Sequence, residues 1–273
     1  MITLIVVLVI IGVMYCLSLM ANHSRKERMQ PYREVYIAHR GLFDNTGDAP
    51  ENSYKAFEKA VQQGYGIELD VQMTTDGRLV VFHDENLNRM CNANKKLYTL
   101  GYEELKNYTL KDSGEHIPLF EDVLELIDGK VPLVVEIKSE GNWKETTKRT
   151  ARMLDDYNGL YCVESFNPGV LLWYRRNRPE VIRGQLSMDY FKHNSEYNPV
   201  INFLMTNLMC NIASYPDFIA YDHRQKNQLS YRICRKIYNP ENVAWTIKSH
   251  EELEEAGEVF GCFIFDSFIP KEK

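Results

Sequence analysis

No two of the six cysteines form a CxxC pair. Cys16, Cys91, Cys162, Cys210, Cys234 and Cys262 are scattered along the 273 residues. That spacing argues against a disulfide framework and fits a reducing compartment. A basic cluster is also missing. With 32 Lys and Arg against 38 Asp and Glu, the net charge is −6, so no nucleic-acid partner is expected. There is no internal repeat, no low-complexity stretch and no Pro/Gly/Ser-rich linker after Pro31. No glycine-rich nucleotide fingerprint follows the first expected strand, which counts against an open doubly wound sheet. What is present is a composition of 44% hydrophobic, 26% charged and 12% aromatic residues. It belongs to a folded chain with a substantial core, either two small domains or one barrel-sized α/β domain.

Residues 2–21 are almost entirely apolar and carry no charge. Twenty residues at ~1.5 Å each span ~30 Å, the thickness of a bilayer core. The run lacks the basic start and the small-residue cleavage site of a signal peptide. It therefore reads as a single transmembrane anchor. Arg25, Lys26 and Arg28 follow it, and the positive-inside bias would keep them and the catalytic domain in the cytoplasm. The expected organisation is an anchor over 1–21, a juxtamembrane linker over 22–33 and a barrel domain over 34–273.

Beyond Pro31, short β-rich runs alternate with amphipathic stretches. Strands are expected at 35–38, 66–71, 79–83, 133–137, 160–164, 181–186, 218–221, 243–247 and 260–265. Helices are expected at 52–63, 119–127, 144–157, 168–176, 199–213, 225–238 and 250–256. Asn52 or Ser53 would cap the first of these, and Gly64 would end it. Nine strands are one too many for an eight-stranded barrel. Asp76-Gly77 is a strong hairpin signal, so the 79–83 strand reads as an antiparallel excursion. Eight parallel strands then remain, which predicts a (β/α)8 TIM barrel.

Polar residues gather at the C-terminal ends of these strands, where barrel active sites lie. Glu68 and Asp70 are two apart on a strand and leave the same face. Two buried carboxylates need a positive partner, and a hard divalent cation suits oxygen ligands. A pair of surface carboxylates on an edge strand is the plainer alternative. Glu136 can add a third carboxylate, with Lys138 on its face. The alternative there is a structural Glu–Lys pair. His39 and His83 each end an apolar run and can serve as general base and general acid. Arg40 and Lys138 add positive charge suited to a phosphate. Phosphodiester cleavage is the reaction that uses every member of this set.

The chain resembles the glycerophosphodiester phosphodiesterase family. The resemblance is carried by His39-Arg40-Gly41, Pro50-Glu51-Asn52-Ser53 with Ala56-Phe57, Ile67-Glu68-Leu69-Asp70-Val71 and Thr75-Asp76-Gly77. It continues through Val80-Val81-Phe82-His83-Asp84, Ile117-Pro118-Leu119, Glu136-Ile137-Lys138, Ser165-Phe166 and Trp245-Thr246. It implies metal-dependent hydrolysis of a glycerophosphodiester to an alcohol and glycerol 3-phosphate. Glu68, Asp70 and Glu136 would bind one divalent cation, Mg²⁺ or Ca²⁺. His39 and His83 would be the acid–base pair, and Arg40 and Lys138 would contact the phosphate. Glu51 would lie at the mouth, on the substrate or on Arg40. Phe166 and Trp245 would wall the glycerol moiety, or alternatively fill the barrel core.

The sequence departs from the family pattern in the long polar loop 42–49, in Ser53 where Thr is more frequent, and in Lys248 where Asn is common. These departures bear on substrate contacts. The 94–96 segment, Asn94-Lys95-Lys96, is expected to help shape the pocket. The Met-rich stretch 202–212 reads as a buried helix face of Phe203, Leu204, Leu208, Met209 and Ile212, with a lipid-facing patch as the alternative. Rival functions are a lysophospholipase D or other lipid phosphodiesterase on the same barrel, and a catalytically silent phosphodiester-binding barrel.

Overall fold

The computed structural model describes residues 1–192 and 198–271. The last two residues of the expected 34–273 domain therefore lie outside the described residues. Nine strands form one sheet: β1 (Ile37–His39), β2 (Gly66–Met73), β3 (Leu79–Val81), β4 (Leu133–Ile137), β5 (Tyr161–Ser165), β6 (Arg183–Ser187), β7 (Phe218–Asp222), β8 (Glu241–Ile247) and β9 (Cys262–Phe265). All neighbours pair parallel except β2 and β3, which form the antiparallel hairpin signalled by Asp76-Gly77. β1 pairs with both β2 and β9. The remaining eight strands thus close into a parallel barrel with helices outside, the TIM-barrel arrangement.

Alternation along the strands builds two cores. The outward residues Ala38, Ile67, Leu69, Val71, Leu133, Val135, Ile137 and Val163 pack beneath the helices. The inward residues Ile37, Val134, Cys162, Phe218 and Cys262 fill the barrel together with Met29 and Tyr32. The excursion after β3 carries a third small core, including Leu87, Met90, Leu97 and Leu105. Ser53 is the cap of the helix Tyr54–Gln62, accepting from Ala56 N at 3.2 Å. Asn52 is left free for another task.

The expected anchor is overturned. The N-terminal helix covers Ile2–Ser18 only, 17 residues. At ~1.5 Å per residue it reaches ~25 Å, short of a bilayer core of ~30 Å. No helix among the described residues is long and apolar enough to cross a membrane. A single-pass membrane protein is therefore not supported, and with the span goes the reason for placing the domain in the cytoplasm from its flanking charges. The physical reason lies at residues 19–21. Leu19 and Ala21 are buried in the outer core, and Leu19 O accepts from Cys234 Sγ at 3.3 Å. Asn22 N bonds Pro216 O at 2.8 Å. The end of the apolar run thus belongs to the barrel. Residues 22–33 continue the packing: Asn22 Nδ2 donates to Asp217 at 2.7 Å, Arg33 pairs with Glu241 at 2.5 Å, and Met29 and Tyr32 are buried.

Two local expectations also change. The 199–213 helix breaks into Pro199–Thr206 and Asn211–Ser214, with Leu208 left-handed at φ 55° between them. Its buried members are Asn202, Met205, Thr206, Leu208, Asn211 and Ser214, whereas Phe203 and Ile212 are about half exposed, at 51% and 52%. The turn at Leu208 rotates the second segment, so one helical face cannot run through both.

Candidate active site

The site sits at the C-terminal ends of the barrel strands, around a cavity of about 520 Å³. β2 sends Glu68 and Asp70 inward, and β4 brings Glu136 level with Asp70 in register. Oxygens of these three buried carboxylates lie within 4.8 Å of one another. Glu164 of β5 stands beside Glu136. Burial and the mutual repulsion of these acids push Glu68 and Glu164 well above the usual carboxylate range and Glu136 up to about 7. Asp70 goes the other way. Against its burial, His83 when protonated, Lys138 and Arg40 hold its carboxyl low. Asp70 Oδ1 is buried without a hydrogen-bond partner. Crowded, buried, oxygen-only donors at the floor of a cavity fit a hard divalent cation.

His39 ends β1. Its Nδ1 lies 2.9 Å from Asp266 Oδ2 and its Nε2 4.0 Å from Glu68. Burial, reinforced by the Arg40 charge, lowers its pKa to about 4. His83 lies two residues beyond β3, with Nδ1 2.7 Å from Asp84 Oδ1. Burial and Lys138 lower its pKa as well. Each imidazole is thus oriented through Nδ1 by a carboxylate, leaving Nε2 for chemistry.

The His-Arg-Gly turn is tight. Arg40 is left-handed at φ 57°, and its backbone N donates to Glu68 Oε2 at 3.1 Å. Gly41, at φ 81°, has no room for a Cβ, which would fall 2.8 Å from the Ala56 backbone. Asn52, also at φ 57°, donates Nδ2 to Asp70 Oδ2 at 2.8 Å. The arginine side chain meets Glu51 at 2.6 Å and Asp70 at 3.4 Å. Glu51 thus lies on Arg40, one of the two places expected for it. It is 4% exposed, and against burial the hydrogen bonds of Arg89 and the Arg40 charge pull its pKa down to about 2.

Phe166 and Trp245 line the cavity and meet edge to face at 5.6 Å. Lys138 does not line it. Its ammonium is buried against the acids, 2.9 Å from Glu136 and 3.4 Å from Asp70. The expected pocket role of 94–96 also changes. Lys95 and Lys96 pair with Glu104 and Glu85 on the surface, and from the segment after β3 His83 and Arg89 line the cavity.

The family model for the glycerophosphoryl diester phosphodiesterase family matches residues 39–231. The chain belongs to that family. A glycerophosphodiester phosphodiesterase of Bacillus altitudinis is 34% identical over 165 residues, 56% of this chain and 66% of the relative. The chain thus spans just under two thirds of that relative's length. Human glycerophosphodiester phosphodiesterase 1 is 27% identical, covering 79% of this chain and 72% of the relative. Among solved structures, an Oleispira antarctica phosphodiesterase in complex with the product sn-glycerol-3-phosphate superposes with a TM-score of 0.67. It is 24% identical and covers 85% of this chain and 92% of that one. At that identity the likeness speaks for the fold.

Four parts of this family site escaped sequence reasoning. Arg89 binds both oxygens of Glu51 at 2.6 Å and both of Asp84 at 2.8 and 2.9 Å. It thereby ties the carboxylate behind Arg40 to the carboxylate behind His83. Asp266, Asn52 and Glu164 are the others. Asp266 and Glu164 do carry a signal, an acidic residue at a barrel strand's C-terminal end. Asn52 stands in the Pro50-Glu51-Asn52-Ser53 motif, which does not announce its bond to Asp70, and Arg89, on the short helix Asn88–Cys91, carries none.

Proposed function

We propose that the chain hydrolyses glycerophosphodiesters to an alcohol and glycerol 3-phosphate by acid–base catalysis with His39 and His83. The observation that carries this reading is the pair of imidazoles, each braced by its own carboxylate, flanking one buried triad of acids. Glu68, Asp70 and Glu136 would hold the divalent cation, Mg²⁺ or Ca²⁺. When bound it would supply Lewis-acid activation of a coordinated oxygen. The names of the relatives and the product in the Oleispira complex support the same substrate class.

In this route one histidine takes the proton from the glycerol hydroxyl adjacent to the phosphate as that oxygen attacks phosphorus. The other gives a proton to the departing alcohol. Water then opens the cyclic phosphate with the two roles reversed. Burial keeps both imidazoles neutral at pH 7 in the substrate-free site, and an arriving phosphate anion favours protonation of whichever one donates. Arg40, fixed by Glu51, offsets charge on the phosphate. Lys138 neutralises part of the acid cluster and holds Asp70 and Glu136 together. Phe166 and Trp245 exclude water from the apolar side of the glycerol moiety.

The test is glycerol 3-phosphate release from glycerophosphocholine and glycerophosphoethanolamine by metal-stripped protein, with Mg²⁺ or Ca²⁺ added back. Metal-restored release that vanishes in Glu68→Ala is expected. A folded, metal-binding protein that releases nothing would sink the reading. A second reading, a lysolipid substrate, is favoured by one relative. A human lysophospholipase D is 32% identical over 149 residues, 50% of this chain and 45% of that protein. Turnover that rises with the acyl length of added lysophospholipids would select it.

A further inference from the structure

The polar loop 42–49, where the sequence departs from the family pattern, has no task in the route above. Its stem is fixed: Leu42 N donates to Ala56 O at 2.9 Å, and Asp44 N to Ala49 O at 2.8 Å. At its tip Thr46 donates its N–H and its hydroxyl to Asp44 Oδ1, at 2.9 and 2.6 Å. One flank of the loop is not tightly packed. A recess of about 400 Å³ lies between residues 41–45 and residues 265–269. The loop nevertheless presents Phe43 and Asn45 to the main cavity. On that flank polar contacts, more than packing, set where these side chains stand.

Asn45 grips Glu51 twice. Its Nδ2 donates to Glu51 Oε2 at 2.9 Å, and its Oδ1 accepts from Glu51 N at 3.0 Å. A carboxylate offers about four acceptor positions, and Glu51 has four donors. Arg40 Nη1 and Arg89 Nη2 each reach Oε1 at 2.6 Å, and Arg89 Nη1 reaches Oε2 at 2.6 Å beside Asn45. Glu51 is buried, so a vacated position there goes unmet. Arg40 depends on this arrangement. Among the described residues its guanidinium makes one hydrogen bond, to Glu51, while its Nε is buried without one, 3.4 Å from Asp70. We propose that Asn45 is a positioning residue, which holds the main chain and the carboxylate of Glu51 together and so sets where Arg40 meets the substrate phosphate. This rests on the proposed hydrolysis, in which Arg40 offsets charge on that phosphate. Both halves of the carboxamide are needed, a donor toward the carboxylate and an acceptor toward the main chain. That requirement distinguishes Asn45 from a residue that merely shapes the loop.

The experiment uses the full chain with its metal supplied. It reads kcat and KM on glycerophosphocholine, and the Kd of glycerol 3-phosphate by titration calorimetry. Asn45→Ala is expected to lower kcat/KM about tenfold, mainly through KM, and to weaken glycerol 3-phosphate by a similar factor, as the loss of a hydrogen bond to a buried charge would. Asn45→Asp keeps the acceptor for Glu51 N but sets a like charge against Oε2, so it should cost more, about thirtyfold. In an Arg40→Ala background the Asn45→Ala change should move Kd by less than about twofold, because its effect passes through Arg40. A residue that only shapes the loop gives the reverse: Asp, which retains the main-chain bond, outperforms Ala, and the cost persists without Arg40. Either result overturns the proposal. So does Asn45→Ala with turnover and Kd unchanged, even if its melting temperature falls. The two readings fail separately. A parent chain that binds glycerol 3-phosphate but releases none from any diester sinks the hydrolysis, and the order of Kd values still decides the role of Asn45.

Discussion

At the N-terminal end of the barrel the inward side chains include Met29, Tyr32, Ile37, Val134, Cys162, Phe218 and Cys262, at most 2% exposed. Two residues further along the same strands they become His39 after Ile37, Glu136 after Val134 and Glu164 after Cys162. Two residues of strand is ~6.6 Å. Over that distance the interior changes from close-packed apolar groups to like charges forced together. The first end stabilises the fold by burial. The second opposes folding, because its acids lose hydration and repel one another. A barrel tolerates such an end because closure and the other core supply the stability, and the crowded acids are then available to hold a cation.

The comparison can be broken at either end. The largest effect is expected from the chemistry: His39→Ala and His83→Ala should each lower kcat by about 10³–10⁴-fold, near the upper range of general acid–base contributions, with a melting temperature close to the parent's. Wild-type turnover in either variant would remove the two-histidine scheme. At the other end Phe218→Ala should destabilise by about 3–5 kcal/mol, read from denaturant midpoints. Its kcat should change little wherever the variant is still folded. A variant that loses turnover but not stability would contradict the division of labour.

Arg89 belongs to neither end; it joins the excursion to the site. Arg89→Ala should lower kcat about 10–100-fold with KM nearly unchanged, because Asp84 and Glu51 lose their shared clamp and His83 and Arg40 lose their bracing. Arg89→Lys should recover only part, since an ammonium lacks the planar fork. A loss confined to KM would make Arg89 a substrate contact.

The smallest effects come from pH. In metal-free protein, Glu136 titrates near 7 rather than near 4.5. The folded state then binds more protons than the unfolded state across that interval, so this group's contribution falls as pH rises from about 4.5 to about 7. Glu51, near 2, works in the opposite sense, and its contribution falls as pH drops from about 4.5 toward 2. Melting temperatures against pH should show both limbs. The neutral limb should flatten with saturating Mg²⁺ or Ca²⁺ and in Glu136→Gln. A neutral limb unaffected by either would place the titration elsewhere.

Much of this was legible in the chain. Alternating apolar runs marked the strands, Asp76-Gly77 marked the hairpin, and acids and histidines at strand ends marked the site. What escaped has physical causes. Leu19 and Ala21 are apolar whether they face lipid or a protein core, so the end of the N-terminal helix is invisible to hydropathy. Phe203 and Ile212 have helical spacing, but a left-handed turn at Leu208 divides them. Lys138 reads as a phosphate contact; that its ammonium also pairs with Asp70 and Glu136 depends on where β2 and β4 meet.

The sequence by itself determined the period-two alternation, the strand count and the residue types at the strand ends, because these are local properties of a chain that must bury one face and turn at glycine. The tertiary structure decided the partners. Barrel closure brings β9 beside β1, so that Asp266 meets His39 across 227 positions. The excursion folds back so that Arg89 reaches Glu51 across 38. Such pairings depend on where remote segments meet in space, and no local pattern encodes that distance.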